Sequence, residues 1–69
     1  MTSEDLREIA SYQLPYKRKA VLREYTYESG MKMLRLVLRE GTRITQVDLD
    51  AETAAAIAGE MKTWADAQG

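Results

Sequence analysis

Alternation with a period of two runs through the middle of the chain, in KRKAVLREYTY (residues 17–27) and again in MKMLRLVLR (residues 31–39). Such a period places every second side chain on one side of a pleated strand, so both stretches are expected to be β-strands. Glu28-Ser29-Gly30 lies between them, and Gly30 suits the left-handed position that closes a three-residue hairpin loop. That loop pairs Tyr27 with Met31. It gathers Ala20, Leu22, Leu34, Leu36 and Leu38 on one face, and on the other it sets Tyr25 by Met33, Arg23 by Arg35, Val21 by Val37 and Lys19 by Arg39. A two-residue loop, Ser29-Gly30, is the competing register. It pairs Glu24 with Arg35 but mixes Arg23 and Tyr25 into the leucine face. The first register is preferred, because misplacing a whole apolar face costs more than an exposed pair of like charges.

Glu40-Gly41-Thr42 reads as a second turn and Arg43 to Leu49 as a third antiparallel strand. Here Ile44 falls on one parity and Val47 and Leu49 on the other. Either a bulge near Thr45-Gln46 puts all three on one side, or Ile44 faces outward. Asp50 is a good N-cap, with Glu52 in the first turn of a helix that reaches Ala67. Ala54, Ile57, Ala58, Met61, Trp64 and Ala65 recur at steps of three and four and form one apolar stripe. Trp64 in that stripe reads as a core anchor.

Ahead of the strands, Ser3 to Ala10 reads as a short helix, with Ser3 as cap, Glu4 and Asp5 in the first turn, and Leu6, Ile9 and Ala10 on one face. Pro15 ends any continuation, leaving Tyr12 to Tyr16 as a connector. The expected fold is therefore α+β in one domain, residues 1–69: a short N-terminal helix and connector (1–16), a three-stranded antiparallel meander (17–49), and an amphipathic C-terminal helix (50–67) packed on one sheet face.

Charge changes this picture more than composition does. The formal net charge is only −1, yet residues 17–43 carry eight cations against three acids, while from Ile44 onward Lys62 alone opposes five acids. The basic cluster belongs to the meander and the acidic one to the last helix and its approach. With no Cys and no His, the chain has neither a disulfide nor the usual donors for zinc, copper or iron. The same absences remove the commonest general base and the commonest thiol nucleophile, so the expectation is a protein that is not an enzyme and needs no cofactor. Asp48, Asp50 and Glu52 fit no calcium-loop spacing: Asp48 reads as ending a strand and Asp50 as capping a helix. No apolar run approaches the ~20 residues of a membrane span and the start lacks the hydrophobic stretch of a secretory signal, so a cytoplasmic setting without a membrane partner is expected.

Two surfaces are candidates for binding. The outer sheet face brings Lys19, Arg23, Arg35 and Arg39 together with Tyr25, Tyr27 and Met33, a mixture suited to an acidic protein surface or to single-stranded nucleic acid, whose phosphates want cations and whose bases stack on aromatic rings. Plain solvation of a strand face accounts for the same residues. Ala51, Ala55, Ala58 and Gly59 make a small-residue strip on the last helix, where a second copy could approach closely to form a homodimer. A chain of 69 residues buries a modest core, which also favours self-association.

The basic strands KRKAVLREYTY and MKMLRLVLR, followed by the strand-to-helix passage ITQVDLDAETAAAIAGEM, resemble in organisation the core of the transcriptional coactivator family called positive cofactor four and its bacterial relatives. The resemblance spans Ala20 to Ala65. It implies a curved antiparallel sheet followed by a helix, dimerisation through the helix region, and single-stranded DNA bound on a basic, aromatic-bearing sheet surface. The chain reads as three strands where that family uses four, and it has no Lys-rich loop before the last strand. The functional expectation is a small homodimeric binding module whose basic sheet face docks an acidic protein, with single-stranded nucleic-acid binding through Tyr25, Tyr27, Arg23 and Arg35 as the alternative.

Overall fold

The computed structural model describes residues 5–69. Four strands, β1 (Asp5–Leu14), β2 (Arg18–Thr26), β3 (Lys32–Glu40) and β4 (Arg43–Leu49), form one antiparallel sheet in sequence order, and a single helix, α1 (Ala51–Gln68), follows. The α+β class holds, but the sheet has four strands instead of three and no N-terminal helix is present among the described residues.

Ser3 and Glu4, the start of the expected helix, lie outside the described residues. From Asp5 onward the segment is a strand paired with β2. A helix of eight residues is marginal in water, whereas the open edge of β2 offers a row of unpaired backbone groups. The three-residue step from Leu6 to Ile9, which mimics a helical face, has another cause. The register shifts between Glu8 and Ala10, so Ile9 is an extra residue in a bulge. Past the bulge, Ala10 and Tyr12 stand opposite Leu22 and Ala20, on the leucine side of the sheet. Of the expected connector, Tyr12 to Leu14 belong to β1, and Pro15 and Tyr16 open a single tight turn, Pro15–Lys17, in which Tyr16 and Lys17 both take positive φ (64° and 61°).

The hairpin between β2 and β3 uses the three-residue loop. The Tyr27 N–H donates to the Met31 carbonyl at 2.8 Å and the Gly30 N–H to the Tyr27 carbonyl at 2.9 Å, with Gly30 at φ +93°. Arg23 consequently stands opposite Arg35 and Val21 opposite Val37. The β3–β4 pairing runs unbroken from Leu34 opposite Leu49 to Glu40 opposite Arg43, with no bulge, so Val47 and Leu49 join the leucine face and Ile44 lies on the other side beside Arg39.

Asp50 caps α1, its carboxylate accepting from the Thr53 N–H at 2.9 Å. The helix is not packed on the sheet as expected. It approaches mainly β3, Ala54 is its one half-buried residue, and Trp64 is 68% exposed, so Trp64 is no core anchor within this chain. A single residue, Asp50, joins β4 to α1, and its cap fixes the direction of the first turn. The helix stands away from the sheet along most of its length. Between its apolar stripe and the sheet lies an open cleft of about 460 Å³, lined by leucines of the sheet and by Ala54, Ile57, Ala58 and Met61.

Candidate binding surface

Strand alternation and the observed register place Lys19, Arg23, Tyr25, Met33, Arg35 and Arg39 on one side of the sheet, opposite to the leucines. Tyr27 lies just past the end of β2 and joins the same side through its hydroxyl. Across the four strands this side is built in rows: Gln13, Lys19, Arg39 and Ile44; then Ser11, Val21, Val37 and Gln46; then Glu8, Arg23, Arg35 and Asp48. The row holding Arg23 and Arg35 is thus closed by an acid at each end.

Arg35 is the most constrained of these cations. Its Nε and Nη2 donate to the two Asp48 carboxylate oxygens at 2.8 and 3.0 Å, and the Tyr27 hydroxyl donates to the same carboxylate at 3.2 Å. The guanidinium lies 4.4 Å from the Tyr25 ring centroid, and the Tyr25 and Tyr27 rings are 4.8 Å apart at 48°. A two-pronged Arg–carboxylate pair is geometrically demanding and stronger than a single contact. Both side chains are about three-quarters covered (23% and 26% exposed), which shields the pair from water. The hydrogen bonds from Arg35 hold the Asp48 carboxyl below the ordinary carboxylate range, partial desolvation opposes this, and Tyr27 reinforces it. The same bond from the other side raises Arg35 further.

Asp48, expected only to end a strand, is the partner of Arg35, and the sequence holds a signal for that pairing. A two-residue turn at Gly41-Thr42 sets Glu40 opposite Arg43, and counting back from there places Asp48 opposite Arg35. The structure therefore ties up Arg35 with an acid and leaves the exposed cations elsewhere. Lys17, Lys19, Arg39 and Arg43 make no ion pair among the described residues, and all sit at the end of the sheet bearing the Pro15–Lys17 and Gly41-Thr42 turns. Arg18 at this end is paired with Glu40 at 2.6 Å. Five cations against one acid make this end strongly positive. Tyr16 crowns it, 86% exposed, with the Arg18 guanidinium 5.9 Å from its ring centroid. A tyrosine with positive φ is unusual and costs backbone energy, and this one is spent on presenting the ring to solvent.

The small-residue strip is divided. Ala58 lines the cleft under α1 and Ala51 lines a smaller hollow beside Ile9 and Glu24, while Ala55 and Gly59 are exposed on the helix. Among the described residues no group of three acids is placed to hold a metal ion, and no helix is long and apolar enough to cross a membrane.

These features define a class of protein, a four-stranded antiparallel meander followed by one helix, with a positively charged end. Residues 3–67 match the model of a family described as a family of unknown function (DUF6967), and the chain belongs to that family. No curated protein and no solved structure matches it.

Proposed function

We propose that this chain is a non-enzymatic binding module of the cytoplasm that presents the positive end of its sheet to an acidic surface on another protein. The observation that carries this reading is the gathering of Lys17, Lys19, Arg39 and Arg43, exposed and without ion pairs among the described residues, around the outward-held Tyr16. Cations at one end of an otherwise acidic molecule steer an anionic partner and orient it on arrival. An exposed tyrosine adds an apolar ring with a polar tip, a residue type favoured at the centre of interfaces.

Single-stranded nucleic-acid binding through Arg23, Arg35, Tyr25 and Tyr27 fits the geometry less well. The Arg35 guanidinium already holds a carboxylate and already covers the Tyr25 ring, so a phosphate and a base would each have to displace a partner. Four strands, the number used by the coactivator family described above, are the feature that keeps this second reading worth testing.

Fluorescence anisotropy with two probes, an acidic polyglutamate peptide and a single-stranded oligonucleotide, at two salt concentrations separates the readings. The peptide is expected to bind at low salt, to weaken as salt rises, and to be lost in a Lys19→Glu/Arg39→Glu variant. Oligonucleotide binding that is tighter than peptide binding and is weakened by Arg35→Glu or Tyr25→Ala transfers the function to nucleic acid. Absence of binding to both probes at low salt overturns the assignment of this end as a docking surface.

A further inference from the structure

We infer that the leucine face of the sheet is the interface between two copies of this chain, with the α1 stripe of each copy lying in the leucine cleft of the other. The dimensions of the single chain carry the first part of the argument. A compact chain of 69 residues has a radius of gyration of about 11 Å, whereas this one measures 14.0 Å, with extents of 47 × 30 × 15 Å. The observed radius is that of a compact body of roughly twice the length, about 14 Å by the same scaling. Surface area gives the same answer. The accessible surface is 5719 Å², against about 4,400 Å² expected for a folded monomer of this mass. The excess, on the order of 1,300 Å², exceeds the roughly 800 Å² that each partner buries in an ordinary stable complex.

The location of that excess argues for a second copy over a foreign partner. One side of the cleft is the leucine face, where Leu22, Leu34, Leu36 and Leu49 are only half-buried. The other is a helix stripe whose Ile57, Met61 and Trp64 are exposed, Met61 at 63%. The chain thus carries both an unfilled groove and an unburied ridge of the kind that fills one. A two-fold axis satisfies both at once, groove to ridge and ridge to groove, which one copy alone does not do with α1 standing away from its own sheet. No cysteine or histidine supplies a disulfide or zinc staple in its place. Of the small-residue strip, Ala58 lines this cleft while Ala55 and Gly59 are exposed beside it, and the large apolar side chains supply most of the contact.

Sedimentation together with Trp64 fluorescence tests this on the unmodified protein. Because Trp64 is the sole tryptophan, its emission reports the stripe directly. At tens of micromolar the mass is expected to be twice 7.8 kDa, with blue-shifted emission that moves to the red on dilution at the same midpoint as the mass change. Met61→Glu, placed on an exposed position that a lone chain tolerates, is expected to lower the dimer affinity at least 100-fold while circular dichroism keeps the sheet and helix signal. A mass of one chain throughout the concentration range overturns the inference, including by closure of α1 on its own sheet. A dimer whose Trp64 emission stays that of an exposed indole, or one unaffected by Met61→Glu, places the interface elsewhere and overturns it equally. These outcomes are independent of whether the positive end binds an acidic probe.

Discussion

Val21 and Val37, 3% and 2% exposed, are the buried side chains of the described residues, and they lie on the charged side of the sheet. Six leucines, Leu14, Leu22, Leu34, Leu36, Leu38 and Leu49, share the other side, and none is buried. Apolar character alone would predict the reverse. The valines sit directly opposite each other in the central strands, with Lys19, Arg23, Arg35 and Arg39 at the four corners around them. The methylene stems of such residues cover apolar neighbours while the charged heads stay in water. On the leucine side there is no comparable cover, since α1 stands away from it. Burial here depends on what lies over a residue and not on its apolar character alone.

The sharpest way to break this contrast is to place a charge under the cover. Val37→Asp replaces a sealed apolar side chain with a carboxylate in one of the two buried positions and is expected to cost about 3 kcal/mol or more at every protein concentration. A loss below about 1 kcal/mol in urea unfolding followed by circular dichroism shows that the valine pair is not sealed at all.

Loosening the cover comes next. Asp48→Asn removes the negative partner of Arg35 and is expected to cost about 1–2 kcal/mol at neutral pH. The effect carries a pH signature. Asp48 has its folded value held below the ordinary one, so its contribution is present in full above about pH 4 and is lost as the pH falls through the folded value. The unfolding curves of the variant and the parent should therefore converge in acid, and a difference that persists unchanged at pH 2 assigns the loss to packing instead of charge.

On the helix side, Asp50→Ala removes the cap and is expected to lower stability by less than Asp48→Asn does, with helical signal lost from the first turn. Asp50 too is held below its ordinary value, by the Thr53 hydrogen bonds, so this loss also fades in acid. Unchanged helicity and stability at neutral pH would mean that α1 takes its direction from something other than its cap. The smallest effect belongs to the Lys62–Asp66 pair, whose side chains are mostly exposed. Lys62→Ala is expected to change stability by less than about 0.5 kcal/mol, and a larger loss would show that the far side of α1 is also an interface.

Short-range chemistry was legible in the chain. The position of Gly30 and the alternation of leucines led to the correct register between β2 and β3, because a one-residue slip would have moved every apolar side chain to the wrong face. Asp50 marked the start of α1 and is its cap. The cluster of Lys19, Arg23, Tyr25, Met33, Arg35 and Arg39 on one face also follows from alternation. Its electrostatic state follows only in part: the Gly41-Thr42 turn sets Asp48 opposite Arg35, but the two-pronged closure of that carboxylate on the guanidinium, with the Tyr27 hydroxyl beside it, is made by side-chain packing.

Residues 5–14 show why the remainder was hidden. Their spacing of apolar residues fits a helix locally, and only the open edge of β2 and the bulge at Ile9 make a strand of them. Propensity is a sum of small local terms, and a row of backbone hydrogen bonds to a neighbouring strand outweighs it. The stripe on α1 was equally plain in the sequence, from Ala54 to Ala65, but a stripe says that a helix has an apolar side and not what that side meets. Local spacing thus carried the hairpins, the cap and the faces of each element. Which strand β1 joins and how far α1 stands from the leucines depend on contacts between residues far apart in the chain, which local spacing does not encode.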